Sequence, residues 1–196
     1  MIISQSSLQI PHLPAAGTVP HSKFFILHST FLSPHSAFSR LMQNFEKKLM
    51  NEIQLKNYRH SVEIPVRFMD IDALQHVNNA RYLNFLEESR IAYSQDLLNT
   101  YNSIQELNVL VARVEIDFMR PILFEEKVKV YTRIAKLGNK SFTFESIITT
   151  SNKKGEFPSA KAVQTLVAFD PKTNQTAPID DKLRERIIEL EPDLAN

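Results

Sequence analysis

Between residues 58 and 170 the chain reads as one strand, one long helix and then four strands with nothing helical between them, and this order limits the fold more than any other feature. Val62, Ile64, Val66 and Phe68 alternate with Glu63, Pro65, Arg67 and Met69, the pattern of a half-buried strand. Pro65 lacks an N–H and puts that strand near a sheet edge or at a bulge. Tyr82, Leu83, Leu86, Ser89, Arg90, Tyr93 and Leu97 recur at three- and four-residue steps, a helix of about five turns. Asn78 or Asn79 suits its cap, and it ends before Asn99–Asn102. The next strand turns Leu110, Ala112, Val114, Ile116 and Phe118 to one face, and the later ones centre on Val128–Ile134, Phe142–Ile148 and Val163–Phe169. Gly138-Asn139 predicts a two-residue hairpin turn, Asn152–Pro158 a second turn and Asp181–Glu189 a short terminal helix. The expected class is α+β, with an antiparallel sheet of about five strands wrapped around one long helix. Hairpin-linked strands leave an open edge, so a homodimer or a dimer of dimers is expected.

At 196 residues, and roughly 150 per domain, the length suits one domain with an appendage. Residues 1–45 hold eight Ser, four Pro and four of the six His, no Asp or Glu, and neither helical nor strand periodicity. A flexible or disordered extension over 1–49 and a folded domain over 50–196 are expected. Acid-poor, Ser-rich sequence also suits an organelle transit peptide, so a cytoplasmic location is expected with an organelle as the alternative. In 1–45 only Lys23 and Arg40 are charged, which leaves 21 basic and 22 acidic residues beyond and no electrostatic footprint for nucleic acid. No apolar run reaches the ~18 residues of a membrane span. Three glycines leave no phosphate-cradling loop and no Gly-x-Ser-x-Gly elbow, and the absence of Cys removes thiol nucleophiles and Cys-based metal sites. No cofactor is expected.

The densest polar cluster, Asp70-Ile71-Asp72-Ala73-Leu74-Gln75-His76-Val77-Asn78-Asn79, falls between the first strand and the long helix. A helix start leaves backbone N–H groups unpaired and, with the helix dipole, suits a developing negative charge. The Asp72 carboxylate could attack a carbonyl or activate water, with His76 four residues on to orient a group or move a proton. The same residue types also cap helices, and that reading stands beside the catalytic one. Asp70, Asp72 and His76 lack a fourth ligand at a suggestive spacing, so no metal is expected.

The run Val66-Arg67-Phe68-x-Asp70-x-Asp72-x-x-x-His76-Val77-Asn78-Asn79-Ala80-x-Tyr82-Leu83, followed by Glu87-Glu88-Ser89-Arg90, resembles the signature of hotdog-fold thioesterases of the 4-hydroxybenzoyl-CoA type and the matching segment of acyl-ACP thioesterases. The resemblance covers roughly residues 60–170. It implies a hotdog fold and hydrolysis of an acyl-CoA or acyl-ACP thioester, with Asp72 as nucleophile or general base. The oxyanion donors it implies are backbone N–H groups of Val77, Asn78 or Asn79, and His76 matches a histidine of the acyl-ACP enzymes. Leu74 stands where those enzymes carry a catalytic Asn, and Pro121 near a later acidic residue, which shifts the weight to Asp72 and backbone amides. Asp70 then supports the loop, and Glu87 and Glu88 pair with Arg81, Arg90 or Arg113. The acyl chain would run between helix and sheet along Phe68, Tyr82, Leu83, Leu86, Phe142 and Phe144, and the carrier phosphates would meet Arg120, Lys127, Lys140 or Lys161. A hotdog dehydratase or hydratase, and a non-catalytic acyl-binding hotdog, are the alternatives.

Overall fold

The computed structural model describes residues 53–97, 108–153 and 155–195, together with Asn44. The extension expected over 1–49, Asn44 apart, and the Asn99–Asn102 stretch lie outside these residues. Strands β1 (His60–Ile64), β2 (Val109–Phe118), β3 (Lys127–Leu137), β4 (Ser141–Asn152) and β5 (Gly155–Asp170) form one antiparallel sheet in the order β1-β3-β4-β5-β2, and a short β6 (Gln175–Thr176) pairs with β5. Helix α1 (Arg81–Leu97) lies against the β1 and β3 side of this sheet, and α2 (Asp181–Leu190) closes one end of it.

The period of each segment explains its place. Tyr82, Phe85, Leu86, Ser89 and Tyr93 form the buried stripe of α1. Opposite it, Val128, Val130, Thr132 and Ile134 of β3 and Phe142, Phe144, Ser146 and Ile148 of β4 point inward. Two apolar clusters result. The first joins Val77, Tyr82, Phe85 and Leu86 to Ile64, Ile122, Val128, Val130, Ile148, Ala160 and Ala162. The second joins Tyr93, Ile134, Phe142, Phe144 and Leu166 to Leu183 and Ile187 of α2. Asp180 caps α2 by accepting the Leu183 N–H at 2.8 Å, which holds that apolar stripe over the sheet.

Several expectations shift in detail. The first strand ends at Ile64, because Pro65 breaks the ladder, and Phe68 begins a 3₁₀ turn (Phe68–Asp70) with its ring 83% exposed. Pro65 does mark an edge, since β1 is the outermost strand on its side. In β2 a bulge between Val111 and Arg113 interrupts the alternation, so Val114, Ile116 and Phe118 meet the core while Leu110 stays exposed. The β3–β4 turn is centred one residue later than Gly138-Asn139: the Gly138 N–H donates to Ser141 O at 2.7 Å, which makes Asn139-Lys140 its middle. The second turn is shorter than Asn152–Pro158, because β5 starts at Gly155 and absorbs Pro158 beside a bulge opposite Ile148 and Thr149. Along β5 the inward set is Ala160, Ala162, Gln164, Leu166 and Ala168, and Val163, Thr165 and Val167 take the other face. No helix among the described residues is long and apolar enough to cross a membrane.

Candidate active site

The loop from Asp70 to Asn79 is pinned at both ends before it reaches α1. Asp70 is buried, and its Oδ2 accepts the Arg67 N–H at 2.8 Å while Oδ1 lies 3.5 Å from Arg81 Nε. Its carbonyl accepts the Asn78 N–H at 2.8 Å. Ile71 and Val77 bridge as an isolated antiparallel pair, and Val77 N–H donates to Ile122 O at 2.8 Å, which ties the loop to the segment leading into β3. Asp70 therefore supports the loop, as its position implied.

Between these anchors the chain makes a tight turn that presents Asp72. Its N–H donates to His76 O at 3.0 Å, and its carbonyl accepts the Gln75 N–H at 3.0 Å. Gln75 takes φ 66°, the left-handed region that closes so short a turn. On the side chain, Oδ1 accepts the Leu74 N–H at 2.8 Å, an Asx turn that fixes the carboxylate plane. The second oxygen, Oδ2, lies 3.8 Å from His76 Nδ1, outside hydrogen-bond range. Both side chains are about a quarter exposed (24% and 22%), so one carboxylate oxygen stays reachable beside an imidazole. Nδ1 also lies 3.4 Å from Val77 O, a long contact that turns the ring along the loop.

The backbone N–H groups at the helix start can be accounted for one by one. Val77 and Asn78 donate to Ile122 O and Asp70 O, Ala80 donates to Asn78 Oδ1 at 2.9 Å, and Arg81, Tyr82 and Leu83 donate to the carbonyls of Asn78, Asn79 and Ala80. Among the described residues only the Asn79 N–H in this run makes no hydrogen bond. Of the three amides suggested as oxyanion donors, Val77 and Asn78 are spent on structure, and the Asn78 side chain is the helix cap.

The expected substrate contacts divide. Tyr82 is buried in the core, with its ring edge-on to Phe118 at 4.9 Å; burial holds its phenol above the ordinary tyrosine range and it takes a backbone hydrogen bond from Ile122. Leu83, one residue on, faces outward at 47% exposure. Arg120 is committed elsewhere: its guanidinium binds Glu126 through two oxygens at 2.6 and 3.0 Å, donates to Thr150 Oγ1 at 2.6 Å and stacks on the Phe157 ring at 5.2 Å. Lys161 pairs with Glu145 at 2.8 Å. Lys140 sits in the β3–β4 turn, where Nζ donates to Thr176 O at 3.2 Å. That turn is at the opposite end of β3 from Val128, which pairs with Ile64 just ahead of the loop, a separation of about 30 Å at ~3.3 Å per residue. Lys140 and Asp72 of one chain therefore do not share a site. Lys127, at the near end of β3, is exposed. Glu88 pairs with Arg67 at 3.6 Å and Arg113 with Glu115, so the expected Glu88 and Arg113 partners are replaced. Around the loop, Phe68, Met69, Leu74, Leu123 and Phe124 are exposed, and the Phe68 and Phe124 rings meet edge-on at 6.2 Å. No group of three or more His, Asp or Glu among the described residues is gathered to hold a metal ion.

A curled antiparallel sheet laid around one long helix is the hotdog fold, and similarity to proteins named as thioesterases makes this chain a thioester hydrolase within that fold. The family model described as the thioesterase-like superfamily matches residues 66–187, and the chain belongs to that superfamily. It is 32% identical to the long-chain acyl-CoA thioesterase FadM of Escherichia coli over 133 residues, which is 65% of this chain and 96% of that protein. Among solved structures, a Thermus thermophilus thioesterase complexed with coenzyme A and Zn aligns with TM-score 0.60 and 37% identity, covering 67% of this chain and 93% of that one. The probable thioesterase YbaW of Escherichia coli aligns with TM-score 0.55 and 32% identity over 67% of this chain and 96% of its own.

Proposed function

We propose that this protein hydrolyses acyl-CoA thioesters to the free acid and coenzyme A, with Asp72 as nucleophile or general base and the Asn79 N–H as oxyanion donor. The observation that carries the assignment is the coincidence, within one pinned loop, of a carboxylate oxygen without a hydrogen bond and a helix-start N–H without an acceptor. A thioester carbonyl seated with its oxygen on Asn79 N–H gains charge stabilisation as the tetrahedral intermediate forms. As nucleophile, Asp72 Oδ2 bonds to the acyl carbon, the C–S bond breaks and the thiolate leaves; water then hydrolyses the mixed anhydride and restores the carboxylate. As base, Asp72 takes a proton from the water that attacks instead. His76 stands near enough to hand a proton to the departing sulfur or to orient that water.

The kinship with FadM and with a coenzyme A complex supports CoA as the carrier and a long acyl chain as the substrate. We also assign the exposed apolar rim of Phe68, Met69, Leu74 and Phe124 to a homodimer interface that walls the site. Thiol release from saturated acyl-CoAs of graded length tests the reading. A hydratase cannot use these substrates, and an acyl-binding protein would hold them without releasing thiol; equimolar acid and thiol at catalytic enzyme concentration is the expected result.

A further inference from the structure

The two apolar clusters of the core meet along a polar row. Ser89 Oγ of α1 hydrogen-bonds Thr132 Oγ1 at 2.6 Å, and Thr132 Oγ1 meets Ser146 Oγ at 3.0 Å, all three residues being fully buried. Ser146 pairs across the sheet with Ala162, which makes Gln164 its diagonal neighbour on the inward face of β5. Gln164 lies between Phe144 of β4 and Val114 of β2, is 1% exposed, and neither Nε2 nor Oε1 has a hydrogen-bond partner. A buried primary amide with every polar atom unpaired lowers stability, and an apolar residue would fill the position at less cost. The three hydroxyls bond one another, so within this row the unmet demand falls on Gln164; among the described residues the other buried side-chain polar atom without a partner is His60 Nδ1.

Its depth suits a bound chain. Ala160 pairs with Phe118, whose ring meets Tyr82 in the first turn of α1, so that row marks the catalytic end of the sheet. Gln164 lies four residues further along β5, about 13 Å at ~3.3 Å per residue. Resting on the thioesterase reading above, we infer that Gln164 is a specificity residue that recognises a hydroxyl group in the body of the acyl chain, well away from the thioester. A hydroxyl both donates and accepts, so it satisfies Oε1 and Nε2 together; a keto oxygen satisfies Nε2 alone, and a plain hydrocarbon satisfies neither.

The test compares kcat/KM for palmitoyl-CoA with that for palmitoyl-CoAs hydroxylated at graded positions, in the full-length wild type, Gln164→Leu and Gln164→Met. Wild type is expected to favour a mid-chain hydroxyl at least about tenfold over palmitoyl-CoA, and to favour a hydroxyl beside the thioester much less. Both variants should lose this preference, the ratio of the two kcat/KM values falling to about one, and their melting temperatures should rise. Wild type that turns over palmitoyl-CoA without preferring any hydroxylated chain overturns the inference and leaves the thioesterase reading intact, as does a preference that survives in a folded variant. Absence of thiol release from every substrate overturns the thioesterase reading itself.

Discussion

Replacing Asp72 by Asn separates a catalytic carboxylate from a structural one, because the turn around it has no need of the charge. Asn retains an Oδ1 to accept the Leu74 N–H, and the backbone bonds of Asp72 with His76 and Gln75 are untouched. The substitution removes only the attraction between Oδ2 and His76 Nδ1 across 3.8 Å, which joins two partly exposed groups and is worth at most ~1 kcal/mol if the imidazole is charged. Stability should therefore stay within about 1 kcal/mol of wild type. The reaction loses its nucleophile or base, for which at least ~10²-fold in kcat is the ordinary scale, about 2.7 kcal/mol of barrier. Thiol release by Asp72→Asn on the preferred acyl-CoA, read beside equilibrium binding of the same substrate and thermal melting, gives the three numbers needed. The expected set is slow turnover, near-normal binding and an unchanged melting temperature. His76→Ala in the same assay should cost less, and the double variant about as much as Asp72→Asn alone if the two act as a unit. Near-normal turnover by Asp72→Asn would refute the mechanism, since the residue would then be only the cap of an Asx turn.

Arg120→Met should destabilise the fold by about 3–5 kcal/mol in denaturant unfolding, because it strands Glu126, a buried carboxylate that also takes hydrogen bonds from Asn152 and the Leu123 N–H; a change below 1 kcal/mol would mean that the pair is dispensable. Glu191 is raised above the ordinary carboxylate range by burial, against the opposing hydrogen bonds from Tyr93 and Ile134. Its contribution to stability is thus full in acid and lost as pH rises through its folded pKa. Glu191→Gln should then melt higher than wild type near neutral pH, with the gap closing in acid; a gap independent of pH would contradict this. If the exposed rim forms the proposed homodimer interface, Phe68→Asp should sediment as a monomer where the wild type sediments as a dimer and lower activity more than tenfold, whereas an unchanged assembly would remove Phe68 from the interface.

Periodicity made the architecture legible, since a 3.6-residue stripe on α1 and period-2 runs on β3 and β4 can each bury only one set of side chains. The misreadings fall where a single extra residue resets the alternation or where bulk misleads. The bulge at Val111/Arg113 moves Leu110 off the core, and on β5 the inward positions carry small alanines and Gln164 while the valines face away, so hydrophobic bulk does not mark the inner face there. At the site, the order Asp72, His76, Asn78, Asn79 was readable because a turn closed by a left-handed Gln75 and an Asn cap needs only local sequence. The partners of its amides were not local. Ile122, far along the chain, takes the Val77 N–H, and Asp70 takes that of Asn78, so the choice of Asn79 as donor emerges only from tertiary pairing. Arg120 teaches the same lesson in reverse: a basic residue near a candidate carrier site counts as free only when no buried carboxylate claims it, and Glu126 does. The position of the proposed reacting groups therefore depends on the Val77–Ile122 tie, and Ile122→Pro, which bends the chain bearing that carbonyl and also removes a fully buried side chain and the N–H that Tyr82 takes, should impair catalysis and lower the melting temperature together.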